Sequence, residues 1–304
     1  MSKPLPSLDD LRIFNLVAQL KNFSRVAEQI DLAPSSISMA VSRLEAQLGA
    51  RLFQRTTRKM VLTDEGLTLL SRSERLLEDF DEVTSLFRQP GNHLTGRLRV
   101  DLPLGMAAGL VMQRLPEFHA RHPDIQLDIF STDRRVDVIA DGFDCVVRVG
   151  AATDVSLVCR PLGALPLVNV ASPAYIEAYG MPATPADLAL HYLVNYAPNP
   201  SDSAAKFEYM DDTVARTVTV PHKVTVNNSP ACGAACRAGF GISQLPLLGV
   251  ASYLASGLLV KVLPDYLPAT MPINLLYPHR RNVPQRVRLF GDWLVEVVDA
   301  TVAT

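Results

Sequence analysis

The stretch from Phe23 to Leu48, FSRVAEQIDLAPSSISMAVSRLEAQL, constrains the fold most, because two short helical patterns are separated only by Asp31, Leu32 and Ala33. Such a gap leaves room for a tight turn and nothing else. Ala27 and Ile30 are spaced to face a core, and Ser24 is a candidate N-cap for the first helix. Pro34 opens the second helix, where its missing N–H costs nothing. There Ile37, Val41, Leu44 and Leu48 form one apolar stripe at helical spacing, which predicts an inward face. The other face is short and hydroxylated, with Ser35, Ser36, Ser38, Met39, Ser42 and Arg43. A helix of this kind settles into a DNA major groove, with hydroxyls for phosphates or base edges and Met39 for a thymine methyl. A solvated surface helix is the competing reading of this run taken alone.

The flanks favour the groove-reading alternative. Ser7 with Asp10 resembles a capping box ahead of a helix from Leu8 to Lys21, whose Leu11, Phe14 and Val17 make a stripe; Phe14 and Phe23 are expected to lock it over the next two helices. After Gly49, the segment ARLFQRTTRKMVLT reads as a short two-stranded wing. Arg51, Arg55, Thr56, Arg58 and Lys59 on it are placed for a minor groove or for phosphates, with ordinary solvated charge as the alternative. The first 63 residues hold nine basic and five acidic side chains, on a chain whose net charge is -2. A cationic head on a neutral body is what this asymmetry predicts.

Thr63 is a fitting N-cap, with Asp64 and Glu65 in the first turn of a long helix. Leu69, Ser73, Leu76, Phe80, Val83 and Phe87 alternate at heptad spacing, and Leu70, Leu77 and Leu86 widen the apolar face. Nothing adjacent in sequence covers that seam, so it is read as a dimerisation helix; packing against its own chain is the other reading. Gln89-Pro90-Gly91-Asn92 breaks the helix, and an α/β pattern follows. Strands are expected at Arg97 to Leu102, Ile125 to Ser131, Cys145 to Val149, Leu165 to Ala171 and His222 to Val226. Helices are expected at Gly105 to Ala120, Arg135 to Ala140, Ser172 to Tyr179, Ser229 to Ala238 and Val283 to Val298.

The run FSRVAEQIDLAPSSISMAVSRLEAQLGARLFQRTTRKMVLTDEG resembles the N-terminal winged helix-turn-helix of the LysR-type bacterial transcriptional regulators. The resemblance continues through LRV at Leu98, VASPAY at Val170, AGFGISQLP at Ala238 and LYPHRRNVPQRVRLFGDWL at Leu276. Ala33 stands where that family usually has Ser or Thr, and Met39 and Ala40 stand where Arg is common. The resemblance implies a winged helix-turn-helix at 1–63, a linker helix at 64–88, a hinge at 89–93 and a two-lobed, periplasmic-binding-protein-like α/β effector module at 94–304. Lobe I would comprise 94–163 and 269–304, and lobe II 164–268. Double-stranded operator DNA, a small-molecule effector and further copies of the chain, as a dimer or tetramer, are the implied partners, with RNA polymerase a partner such a regulator would engage.

Open α/β sheets bind ligands at the carboxyl ends of their strands, where helix N-termini point free N–H groups outward. Two such ends stand out, at Pro103-Leu104-Gly105-Met106 and at Asn227-Asn228-Ser229. The three polar residues are placed to bond a carboxylate, Arg148 to neutralise it, and Leu104 and Met106 to floor the site. Helix capping and a structural ion pair are the competing readings, and a more apolar effector is an equal alternative. No catalytic elbow or phosphate loop is present, and Gly239-Phe240-Gly241 lacks the third glycine of a dinucleotide fingerprint, so neither an enzyme nor a cofactor is expected. His119 and His122 supply too few ligands for a metal. Cys232 and Cys236, one helical turn apart, carry the alternative of a thiol-switched regulator, while Cys145 and Cys159 are expected in the core. No leader-like or membrane-spanning run is found, which predicts a cytoplasmic protein.

Overall fold

A computed structural model describes residues 5–55, 60–85, 94–152, 154–199, 204–278 and 283–302. The chain forms two compact units, Met1–Asn92 and His93–Thr304. The expected hinge at 89–93 lies outside the described residues.

In the first unit, α1 (Leu8–Leu20), α2 (Phe23–Gln29) and α3 (Pro34–Leu48) close on Phe14, Val17, Val26, Ile37, Val41 and Leu44, all buried. Ser7 caps α1, accepting from Asp10 N at 3.0 Å. Ser24 does not cap α2: Asn22 does, its Oδ1 accepting from Ser24 N at 2.9 Å and Arg25 N at 3.2 Å. The helix starts two residues earlier than a Ser24 cap would place it, so Asn22 holds the extended cap position. At the far end of the α3 stripe, Leu48 is exposed rather than inward. Glu45 turns back to accept from Leu52 N at 2.8 Å and so positions the wing, β1 (Phe53–Arg55) antiparallel to β2 (Met60–Leu62).

Thr63 caps α4 (Asp64–Ser85), its Oγ1 accepting from Gly66 N at 2.9 Å. A Cβ at Gly66 would lie 2.2 Å from Leu52 O, so only glycine lets the first turn of α4 rest on the wing backbone. The expected seam divides. Leu69 and the buried Leu77 pack on the head, and Ser73 donates to Asn15 Oδ1 at 2.6 Å. Leu76, Phe80 and Val83 are exposed, while Leu86 and Phe87 lie outside the described residues. Ser73 thus belongs to the chain's own core, because an Asn–Ser bond buried there consumes both polar groups.

The second unit opens with β3 (Gly96–Leu102), then a single turn α5 (Leu104–Met106), a π-helical turn (Ala107–Val111) and α6 (Met112–Arg121). The one helix expected here is therefore wound irregularly, with Pro116 inside α6. β4 (Ile125–Ser131) and β5 (Cys145–Val149) flank β3, both parallel to it. No helix forms at Arg135 to Ala140. Asp137 Oδ1 accepts from Ile139 N and Ala140 N at 3.1 and 2.9 Å, and this local bonding holds turns instead.

β6 (Leu157–Leu165) and β7 (Leu167–Ala171) are two strands, not one, because Pro166 divides them between sheets. After β7 come α7 (Pro173–Tyr179), a 3-10 turn (Pro185–Leu190), β8 (Leu193–Tyr196), the hairpin β9 (Lys206–Asp211) and β10 (Val214–Thr219), β11 (His222–Val226) and α8 (Ser229–Arg237). β12 (Ser243–Pro246), α9 (Leu247–Ala255), β13 (Val260–Lys261), β14 (Met271–Pro278) and α10 (Gln285–Val302) complete the unit. One lobe is built on the five-stranded sheet β4-β3-β5-β14-β6, with Phe118, Phe290 and Trp293 buried over it. The other combines the sheet β12-β7-β13, the parallel pair β8 and β11, and the hairpin. No described helix is long and apolar enough to cross a membrane.

Candidate DNA-reading face and effector cleft

Burying Ile37, Val41 and Leu44 forces the opposite side of α3 outward. Pro34, Ser35, Met39, Ser42 and Arg43 are exposed there, and Ser36 and Ser38 are half-buried. Ser24 and Arg25 are exposed at the start of α2. No side chain caps α3, since its cap residue is Ala33. Arg43 is committed: its guanidinium forms a two-pronged ion pair with Asp10 of α1, which is only 2% exposed. The guanidinium holds the Asp10 carboxyl below its ordinary range. Arg43 thereby ties α3 to α1, a use that its outward position in the helical pattern does not reveal. Arg51 is exposed at the wing base, 3.9 Å from Glu45. Arg55 ends β1, whereas Thr56, Arg58 and Lys59 lie outside the described residues.

In the second unit the expected effector residues have found other partners. Arg148 on β5 pairs with Asp101 on β3 at 2.6 Å. Asp101 is 1% exposed, and burial raises its carboxyl pKa in opposition to the arginine. Asn228 caps α8, its Oδ1 accepting from Ala231 N at 2.8 Å and its Nδ2 donating to Asn227 Oδ1 at 3.0 Å. Asn227 is exposed. Met106 points into the core of its own lobe rather than into a cleft, while Pro103, Leu104 and Gly105 are half-buried. A Cβ at Gly105 would stand 3.4 Å from Ser229 Oγ, so the two strand ends do meet.

Between them lies a residue that the sequence reading missed. Asp133, in the turn after β4, accepts from Leu104 N with Oδ1 and from Ser229 N with Oδ2, both at 2.9 Å. Tyr196, at the end of β8, stands beside the same carboxylate; burial, and then the Asp133 charge, push its phenol well above the ordinary range. Tyr196 also borders a cavity of about 280 Å³ lined by Asn195, Lys206, Glu208, Cys232 and Gln244 among others. The available signal was position: Asp133 follows a strand by two residues, at the same carboxyl edge that singled out Leu104.

Cys232 and Cys236 are buried free thiols. Cys236 donates to Val170 O at 3.4 Å, and burial pushes its thiol up to about 11 and raises Cys232 as well. That is the opposite of an activated thiolate. Cys145 is buried, but Cys159 is exposed, since β6 is an edge strand. Among the described residues no cluster suited to a metal is found.

Residues 91–299 match the family model described as LysR substrate binding domain, and residues 8–67 match bacterial regulatory helix-turn-helix protein, lysR family. The chain is 40% identical to the uncharacterized HTH-type transcriptional regulator YhjC of Escherichia coli (strain K12), across 95% of this chain and 96% of that one. It is 32% identical to the HTH-type transcriptional activator AaeR of the same organism, across 95% and 94%. Among solved structures it is similar to CrgA, a LysR-type transcriptional regulator from Neisseria meningitidis, with a TM-score of 0.60 and 29% identity over 96% of this chain and 99% of that one. With both modules matched in order and relatives aligned along their length, the chain belongs to the LysR family of transcriptional regulators, which bind DNA and carry an effector-binding domain.

Proposed function

We propose that this regulator reads its operator in the cytoplasm with the outward face of α3, through Ser35, Ser36, Ser38, Met39 and Ser42, and with Ser24, Arg25 and Pro34 beside it. The observation that carries this reading is the division of α3 into a buried apolar side and an exposed short-side-chain side. The uncapped start of α3 leaves the Ser35 N–H for a DNA phosphate. Arg51 and Arg55 add phosphate or minor-groove contacts and set affinity more than sequence choice. Leu76, Phe80 and Val83 form the stripe through which α4 pairs with a second copy, presenting two heads to a partly palindromic site. The effector enters between the lobes near Tyr196, and its binding alters how the paired heads are spaced. Residues 94–304 act as sensor and not as enzyme; the identity of the relatives as regulators supports this.

The test is a mobility shift on the DNA upstream of the protein's own coding region, against a scrambled duplex, across a salt series. Specific retention that falls steeply with salt is expected. Met39→Ala should relax sequence choice, and Arg55→Ala with Arg58→Ala should weaken binding to both duplexes. Equal retention of the two duplexes by the parent protein would end the operator-reading assignment. Val83→Glu is expected to shift the protein toward monomer in light scattering.

A further inference from the structure

Helix starts at the carboxyl ends of open-sheet strands are natural seats for anions, because their first N–H groups lack partners within the helix. Here two such groups converge from different lobes, Leu104 N and Ser229 N, and the chain's own Asp133 fills the space between them with one oxygen on each. Tyr196 stands beside that carboxylate and borders the adjoining cavity. The nearby guanidinium of Arg148 is spent on the buried Asp101 and is not available to draw in a second anion. The adjoining cavity is lined by the amides of Asn195 and Gln244 and by Lys206 and Glu208, one charge of each sign.

We propose that Asp133 determines the effector class: it occupies the inter-lobe anion seat itself, so the regulator answers to an uncharged or cationic small molecule rich in hydrogen-bond donors and excludes small carboxylates. This rests on the cleft beside Tyr196 being the effector site. A carboxylate ligand would have to expel Asp133 from two backbone donors and approach its displaced charge. A donor-bearing ligand instead meets the carboxylate edge of Asp133 and, across the adjoining cavity, the acidic Glu208.

The experiment is a titration of full-length protein with benzoate and, separately, acetate, followed by calorimetry and by thermal unfolding. The parent protein should show no saturable heat and no rise in Tm. Asp133→Ala should gain carboxylate binding by at least tenfold in apparent affinity, because both N–H groups are then open. If that variant fails to fold, Asp133→Asn, which keeps the shape and removes the charge, is expected to gain binding in the same direction. Saturable benzoate binding by the parent, or no gain in either folded variant, would overturn the assignment. Failure of the cleft as effector site would register elsewhere. In that case, filling the cavity with Ala204→Trp would leave the operator shift's response to a small-molecule extract of the host cells unchanged, whatever the benzoate titration shows.

Discussion

Helices α3 and α8 begin alike, each with a proline in its first turn, yet they end up with opposite electrostatics. α3 starts at Ala33 with no side-chain cap. α8 starts at Asn228, which caps it, and its Ser229 N–H is taken by Asp133. A helix start carries a partial positive charge that some anion or dipole will answer. In the head no side chain caps it, and in the effector unit the protein answers it from within. The comparison teaches that a helix start stays open to an outside anion only where tertiary packing withholds an internal acceptor.

The comparison breaks most sharply if α3 is made to resemble α8. Ala33→Asp supplies an internal anion, and it is expected to stabilise the head by about 1 kcal/mol while weakening operator retention by at least about tenfold, through lost phosphate contact and repulsion. Ala33→Ser should give a similar stabilisation with little loss of retention, so thermal unfolding and mobility shifts on the pair separate capping from charge. The converse change, Asn228→Ala, is expected to cost about 1 kcal/mol in denaturant unfolding of the effector unit and to leave retention by the head intact.

A smaller effect concerns pH. His191 is buried with Nδ1 3.1 Å from the Tyr175 hydroxyl, and burial lowers its pKa from 6.5, outweighing the opposite pull of Asp187. The unfolded chain therefore takes up the proton first as pH falls. This contribution to stability is complete above pH 6.5, declines as pH falls below that value, and levels once the folded histidine protonates. His191→Gln should flatten the Tm profile in that window. The smallest change is expected from thiol chemistry. Brief iodoacetamide treatment of the native protein should label the exposed Cys159 and spare Cys232 and Cys236 by mass spectrometry, with operator retention unchanged. Rapid loss of both buried thiols with altered retention would restore the redox-switch alternative.

Much of the fold was legible in the chain because its signals are local. The spacing of Ile37, Val41 and Leu44, the Pro34 and Gly49 boundaries of α3, the Thr63 cap and the strand at Ile125 to Ser131 depend on neighbours a few residues away. The errors also have local causes: Asn22 sits two positions before the expected cap Ser24, Pro166 divides a strand, and Asp137 bonds its own backbone where a helix was expected. Strands β6, β8, β9, β10, β12, β13 and β14 were not anticipated, since a strand is set by its partners more than by its own residues, and β6 and β14 pair chiefly with each other across more than a hundred positions.

By itself, the sequence determined the family, the order of modules, the cationic head and the outward face of α3, because helical periodicity and charge placement are properties of the chain. Only the tertiary structure decided which of the named polar groups are free. Arg43 is spent on Asp10 across 33 positions, Arg148 on Asp101, and the anion seat is filled by Asp133, which reaches Ser229 across 96 positions. A charge's partner is chosen by proximity in space, where desolvation makes leaving it unpaired costly, and no spacing rule along the chain encodes that proximity.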